Sequence, residues 1–389
     1  MTTTAPDTAT DRRRASFHTL EVSGVRRLTA ESIEVTFAVP EPLVGEYDYA
    51  PGQYVALRKE LPDAEGNLSE VRRSYSICAE PRPGEIRVAI KRDLGGQFST
   101  WANESLKAGD TMEVMSPAGA FISKHQMTHL NHPETIDTDS DHHFVAVAAG
   151  SGITPVLAIA RTVLAANEHV RFDLVFSNRA AMDVMFLEEL ADLKDRYPAR
   201  FALHHVLTRE QRIAPLLSGR IDHEKLSTLL STVLRADQVD EWFLCGPFEL
   251  VQMVRDELAE IGVDADKVRF ELFTTGKPAK PEGHIGRPVE LDETGDNVQI
   301  TFTLDGLQGE VASPKGQRET VLNAALRVRP DVPFACAGGV CGTCRAKVVT
   351  GSVEMDENYA LEPDEIEKGY ILTCQSHPTS DELVVNYDA

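Results

Sequence analysis

Residues 336–344 read CAGGVCGTC, three cysteines and three glycines in nine positions, and a fourth cysteine, Cys374, follows Cys344 after 29 intervening residues. No other feature narrows the fold as much, because thiols gathered at one point force the backbone to wrap around whatever they bind. Six cysteines in 389 residues do not make a disulfide scaffold, which belongs to small secreted domains. A zinc ribbon would supply two paired Cys or His units, whereas here the fourth thiol stands alone. Chance burial of unrelated cysteines is a further alternative. The spacing C-x4-C-x2-C with one distant Cys is that of four thiolates around a 2Fe-2S cluster, and this reading is favoured, with Cys336, Cys341, Cys344 and Cys374 as ligands. Glycines suit such a loop, which needs unusual dihedrals and close approach of backbone N–H groups to sulfur.

The chain is too long for one ordinary core, so two or three domains are expected. Residues 16–122 carry short strand patterns (SIEVTFAVP, GQYVALR, RRSYSIC, EIRVAIKRD) broken by Pro, Gly and Asp, which predicts a small antiparallel barrel with one helix, GQFSTWANESL. A polar stretch, 123–143, reads as a connecting loop; its five histidines show no ligand spacing. Strand and helix patterns alternate over 144–273, predicting a parallel sheet covered on both faces. Three prolines and four glycines mark 274–297 as a linker. Beyond it, 298–389 begins with a hairpin turning at Asp305–Gly306, continues with a helix, RETVLNAALRV, and carries the cysteine loop and further short strands. Residues 1–15 contain Arg12–Arg14 but no apolar run follows, so a disordered tail rather than a targeting segment is expected.

Two motifs in the barrel suit a planar cofactor bearing phosphates. In Arg73-Ser74-Tyr75-Ser76 an arginine can clamp a pyrophosphate and a tyrosine can lie on a flat ring. Gly95-Gly96-Gln97-Phe98-Ser99 opens a helix, where free N–H groups bind anions. In the α/β region Gly150-Ser151-Gly152-Ile153-Thr154-Pro155 joins a strand to a helix, the place for a phosphate loop, although it lacks the third glycine of the usual fingerprint. The next strand ends in Ser177-Asn178-Arg179. An arginine there accommodates a 2′-phosphate, which favours NADPH, while nearby Asp183 keeps NADH open. Cys245-Gly246-Pro247 ends another strand, and a buried structural thiol is its ordinary reading.

Taken together, R-x-Y-S, VAIKR, G-G-x-F-S, PAGAF and G-x-G-x-T-P resemble the ferredoxin–NADP reductase superfamily, and the C-terminal region resembles plant-type ferredoxins. The resemblance implies a multidomain α+β and α/β chain: an antiparallel FAD-binding β-barrel, a parallel α/β NADP-binding domain and a β-grasp 2Fe-2S domain. It places the FAD diphosphate on Arg73, Gly95, Gly96 and Ser99 and the flavin ring on Tyr75 and Ser76, with Ser74, Ile90, Lys91, Gln97 and Phe98 nearby. It places Cys245, with Gly246 and Pro247, against the nicotinamide as a positioning group, and brings Glu271 and Phe273 toward the flavin. No acid, base or nucleophile is required. NADPH delivers two electrons, the cluster accepts one at a time, and FAD converts between them.

This domain order resembles the reductases of bacterial multicomponent oxygenases, and residues from 17 onward are similar to the reductase subunits of phenylacetyl-CoA epoxidases. The expected partner is a di-iron oxygenase acting in phenylacetate catabolism. A steroid or Rieske-type ring hydroxylase is the alternative partner, and a plain electron-carrier or zinc module the alternative of another class. Residues 354–367, EMDENYALEPDEIE, hold seven acidic and no basic residues and are a candidate docking surface. A formal charge of −22 argues against nucleic acid and anionic membranes as partners, and no apolar run is long enough for a membrane span, so a cytoplasmic protein is expected.

Overall fold

The computed structural model describes residues 16–389 except 63–65, 67, 94, 120, 126–136, 274–296, 305, 330–331, 335–338, 340–341, 357, 359–360 and 362. The tail, most of the histidine-bearing loop, nearly all of the expected linker, and Cys336 and Cys341 therefore lie outside the described residues. Among the described residues no helix is long and apolar enough to cross a membrane.

Six antiparallel strands form the first unit: β1 (Phe17–Thr29), β2 (Ser32–Ala38), β3 (Tyr54–Pro62), β4 (Leu68–Ser76), β5 (Glu85–Lys91) and β6 (Thr111–Met115), in the order β4-β3-β6-β1-β2-β5. An isolated bridge from Ile77, just past β4, to Val88 in β5 brings the two edges together and closes the barrel. Alternation drives this closure. Ile86, Val88 and Ile90 of β5 and Val55 and Leu57 of β3 are buried in one core with Phe37, while their neighbours face outward. Helix α1 (Gln97–Ser105) caps that core with Phe98 and Ala102. The sequence reading drew four strands here and left out two, the short β6 and β1, a 13-residue strand whose mixed polar pattern conceals its alternation.

The second unit is a parallel sheet of β7 (His142–Ala149), β8 (Val170–Asn178), β9 (Phe201–Leu207), β10 (Glu241–Gly246) and β11 (Val268–Leu272), ordered β11-β10-β7-β8-β9. Helices α2 (Ile153–Ala166) and α3 (Leu187–Arg196) cover one face, and α4 (His223–Thr228) and α5 (Phe248–Glu260) the other. The strand β7 is fully apolar from Phe144 to Val147 because both faces are covered. From β7 the chain runs outward through β8 and β9, then returns to β10 on the other side. This reversal opens a crevice at the carboxyl ends of β7 and β10.

The third unit holds β12 (Asn297–Leu304) and β13 (Leu307–Pro314), helix α6 (Val321–Leu326), β14 (Arg345–Thr350), β15 (Val353–Met355), helix α7 (Pro363–Glu367), β16 (Tyr370–Leu372), β17 (Ser376–Pro378) and β18 (Glu382–Asn386). Five strands pair as β13-β12-β18-β14-β16, and β15 pairs with β17. Strands β12 and β18 run parallel in the middle of the sheet, and α6 packs its Val321, Leu322 and Ala325 on the core beneath.

At the crevice of the second unit, backbone meets backbone. A Cβ built on Gly152 would lie 2.1 Å from the Cys245 carbonyl oxygen, so only glycine lets the β7–α2 loop close on the end of β10. Gly152→Ala is expected to destabilise the fold by about 1–3 kcal/mol through overpacking. Gly45→Ala, where nothing lies within 4 Å, serves as the neutral control. Thermal unfolding of the two variants beside the parent measures the difference.

Candidate functional site

A cleft of about 1060 Å³ opens between the units and is lined by residues of all three. Strand β4 contributes Arg73, Ser74, Tyr75 and Ser76, and the start of α1 contributes Gly96 and Ser99. Gly150, Thr154, Ser177, Asn178, Arg179 and Asp183 come from the carboxyl ends of β7 and β8, Pro247 from the end of β10, and Glu271 and Phe273 from the end of β11. Pro333, Phe334 and Thr343 reach the cleft from the cysteine-bearing unit.

Tyr75 packs its ring 5.8 Å from that of Phe98, which lies in the barrel core; removal of the phenol from water pushes its pKa up, so the hydroxyl stays neutral. Ser76 donates a hydrogen bond to the Glu271 carboxylate at 3.1 Å and thereby ties β4 to β11. The Phe273 N–H donates to the Gly246 carbonyl at 2.9 Å, which fixes the segment after β11 against the end of β10. Helix α1 starts at Gly96 with no side-chain cap, leaving its first N–H groups for another acceptor, and Ser99 Oγ accepts the Asp93 N–H at 3.1 Å.

Several expected residues sit elsewhere. Ile90 is fully buried in the barrel, since on β5 its neighbours Ala89 and Lys91 are the ones that face the cleft. Gln97 is exposed and its amide donates to the Pro62 carbonyl at 2.6 Å. Phe98, Ile153 and Pro155 are buried packing residues. Cys245 is also fully buried and does not line the cleft; burial, with Glu271 nearby, pushes its thiol well up and keeps it protonated. Any influence of Cys245 on a ligand passes through the backbone that closes on Gly152.

Lys91 belongs to a different neighbourhood from the one expected. Its Nζ lies 3.2 Å from the point where a Cβ on Gly150 would sit, so this barrel lysine reaches the loop of the second unit. Burial and the neighbouring Arg179 lower its pKa, while Asp183 and Asp93 act the other way. Lys91 and Arg179 thus concentrate positive charge, against their own repulsion, where a phosphate would relieve it.

Family models match each unit: an oxidoreductase FAD-binding domain over residues 19–122, an oxidoreductase NAD-binding domain over 146–256, and a 2Fe-2S iron–sulfur cluster binding domain over 302–379. The chain is 40% identical to one of the subunits of the 1,2-phenylacetyl-CoA epoxidase of Escherichia coli, across 96% of this chain and 98% of that protein. It is 32% identical to the ferredoxin reductase component of the 3-ketosteroid-9-alpha-monooxygenase of Rhodococcus rhodochrous, across 95% and 96%. Among solved structures, phthalate dioxygenase reductase matches 95% of this chain and 98% of its own with a TM-score of 0.50 at 22% identity, a likeness of fold. The chain belongs to the oxygenase reductases of the ferredoxin–NADP reductase superfamily. It is an NAD(P)H-dependent oxidoreductase that uses FAD and a 2Fe-2S cluster and serves an oxygenase.

The residues of this oxygenase reductase fit those groups. Asn178 is 6% exposed, lines the cleft, and has no hydrogen-bond partner for either amide atom among the described residues, as expected of a side chain waiting for a ligand. In the third unit Cys344 and Cys374 are both buried. Their loops are stitched together, because the Thr373 hydroxyl donates to the Cys344 carbonyl at 2.9 Å and its N–H to the same oxygen at 3.2 Å. Gly342, between Cys341 and Cys344 in the chain, has φ +70°, in the left-handed region that favours glycine. Cys336 and Cys341 themselves lie outside the described residues.

The cleft also contains residues that the sequence reading missed. Thr208, Arg220 and His223 come from the stretch after β9, where no motif draws attention. Phe334 and Thr343 stand near the expected cluster ligands in the chain yet line the same cleft as Arg73–Ser76, a juxtaposition visible only once the units are packed. Burial makes a chemical prediction: Cys78 and Cys245, both fully buried and with raised thiol pKa, should resist iodoacetamide at pH 8 in the native protein and react in denaturant. Mass spectrometry of the alkylated peptides checks it.

Proposed function

We propose that this reductase takes electron pairs from NADPH and delivers them singly, through its cluster, to a di-iron oxygenase that epoxidises the ring of phenylacetyl-CoA. One observation carries the flow of electrons: the flavin motif, the nucleotide loops and the cluster loop all face one cleft. FAD, when bound, supplies the exchange between two-electron and one-electron chemistry.

The chain's own residues bind and orient. Arg73, Gly96 and Ser99 would hold the FAD diphosphate, with Gly95 shaping the turn before the helix, while Tyr75 and Ser76, the latter braced by Glu271, would hold the ring. Gly150, Gly152 and Thr154 would take the pyrophosphate of the nucleotide, joined by Lys91 from the barrel. Ser177, Asn178 and Arg179 would hold its 2′-phosphate end. Gly246 and Pro247 would position the nicotinamide, Cys245 acting only through its backbone. Cys336, Cys341, Cys344 and Cys374 would hold the cluster. None of these residues is asked to move a proton.

For the partner, the 40% identity to the phenylacetyl-CoA epoxidase component over nearly the whole of both chains supports the di-iron reading over the steroid one, whose relatives stand at 32%. The acidic segment 354–367 serves docking in reduced form: Glu354, Asp356 and Glu367 are exposed, whereas Glu365 is buried and turned toward the barrel. A cytoplasmic setting suits a coenzyme A thioester as the oxygenase substrate.

The purified holoprotein should show flavin and iron–sulfur absorption that NADPH bleaches, and should support turnover by the purified oxygenase of a phenylacetyl-CoA epoxidase. A colourless zinc protein, or turnover supported only with a steroid hydroxylase, overturns the proposal. Arg179→Ala is expected to raise the KM for NADPH about tenfold while leaving that for NADH nearly unchanged, and Lys91→Gln to raise both by similar factors with flavin content intact. Steady-state kinetics with each nucleotide separates the two roles.

A further inference from the structure

The third unit touches the barrel through a small polar contact built on one face of β4. Successive residues of a strand point to opposite sides, so Glu70, Arg72, Ser74 and Ser76 share a face. Ser76 meets Glu271 of the second unit, and the other three meet the third. Arg72 Nη2 donates to Glu365 Oε1 at 3.2 Å, and Arg345 Nη1 lies 2.5 Å from the same oxygen. Arg345 also lies 3.6 Å from Glu70, which Arg72 Nε bonds at 2.9 Å. Two arginines and two glutamates thus alternate in a closed ring, one of each from either unit. Beside it Ser74 Oγ and Thr343 Oγ1 are 3.3 Å apart.

The ring is organised before it closes. Arg345 lies over the Tyr370 ring at 4.3 Å within the third unit, and Arg72 over the Phe17 ring at 5.0 Å within the barrel. The side chains of Arg72 and Glu365 keep only 8% and 9% of their exposure. Charges so placed add little net stability, since desolvation offsets their attraction, but they penalise any other register, which would strand one of them unpaired. Thr343 precedes Cys344, so this register also sets where the cluster loop stands against the cleft.

We propose that Glu365, held between Arg72 and Arg345, is a positioning residue: the ring is a reversible latch that docks the 2Fe-2S domain in register for electron transfer from the flavin and lets it go to meet the oxygenase. The proposal rests on the assignment of flavin and cluster above. Opening the latch exposes the Arg345–Glu365 pair of the third unit and the Glu70–Arg72 pair of the barrel to water, each still paired, so release is easy, and because ions compete for the same charges the docked state weakens with salt.

The test uses the full-length holoprotein and Glu365→Gln, with Glu365→Asp as the conservative variant. Visible spectra first establish that flavin and cluster are present; their absence from the wild type refutes the underlying assignment instead of the latch. In stopped flow with NADPH, Glu365→Gln should leave flavin reduction unchanged and slow cluster reduction about tenfold or more, with Glu365→Asp recovering much of the loss. Small-angle scattering should show a larger radius of gyration for Glu365→Gln than for the wild type at low salt. The wild type alone supplies a second arm, its cluster reduction slowing and its radius growing as salt is raised. Cluster reduction indifferent both to the substitution and to salt overturns the proposal, as does a radius that never changes.

Discussion

The two-residue period of β4 is the constraint on which the assembly turns. Val71 and Tyr75 bind the strand into the barrel: Val71 enters the core and Tyr75 packs on Phe98. Its even positions face outward and meet both other units, Ser76 with Glu271 and Ser74 with Thr343. A slip of one residue in the nine-residue pairing of β3 with β4 would exchange the two sets. It would turn Tyr75 away from Phe98 and put Val71 at the domain contact. One strand register thus fixes the cleft-lining residues of β4 and the interdomain contact together, which is why RRSYS combines a ring, hydroxyls and guanidinium groups in five positions.

The second constraint is the backbone contact at the end of the parallel sheet. The topology places the ends of β7 and β10 side by side, and Gly152 lets them close to van der Waals distance of the Cys245 carbonyl. Because the contact is made by main chain, Cys245 contributes through its position and its thiol remains in the core. The barrel completes the site from the opposite side through Lys91, whose pKa is lowered by burial and by the neighbouring Arg179. Like charges stay together there because the fold holds them, and a bound polyanion would be the natural counterion.

Much of this was legible in the sequence. Alternating and apolar runs located the strands of the parallel sheet, since a strand covered on both faces has nothing polar to blur the signal, as in Phe144–Val147. The cysteine spacing was equally specific. What the sequence concealed is of one kind: which side of an element a motif residue faces. VAIKR suggested Ile90 and Lys91 together, but on β5 the side chain of Ile90 turns into the barrel core while Ala89 and Lys91 line the cleft. Gln97 and Phe98 lie within a helix-opening motif yet point to Pro62 and to the core. Arg220 and His223 follow an irregular stretch with no period to read. Glu365 looked like one acid among seven, and only its contact with Arg72, 293 positions away in the chain, sets it apart.

That contact also explains how a chain of net charge −22 can fold an acidic domain back on itself. At physiological ionic strength the Debye length is about 8 Å, so distant like charges on the two units scarcely feel each other, while pairs at hydrogen-bond distance keep their full interaction. Local matching therefore decides docking. The ring of Glu70, Arg72, Arg345 and Glu365 is neutral in sum, and it withdraws Glu365 from the acidic surface offered to a partner. Glu354 and Glu367 stay exposed while Glu365 is held in the ring. If the acidic segment receives the oxygenase as proposed, its capture and release from the flavin need not compete for the same side chain.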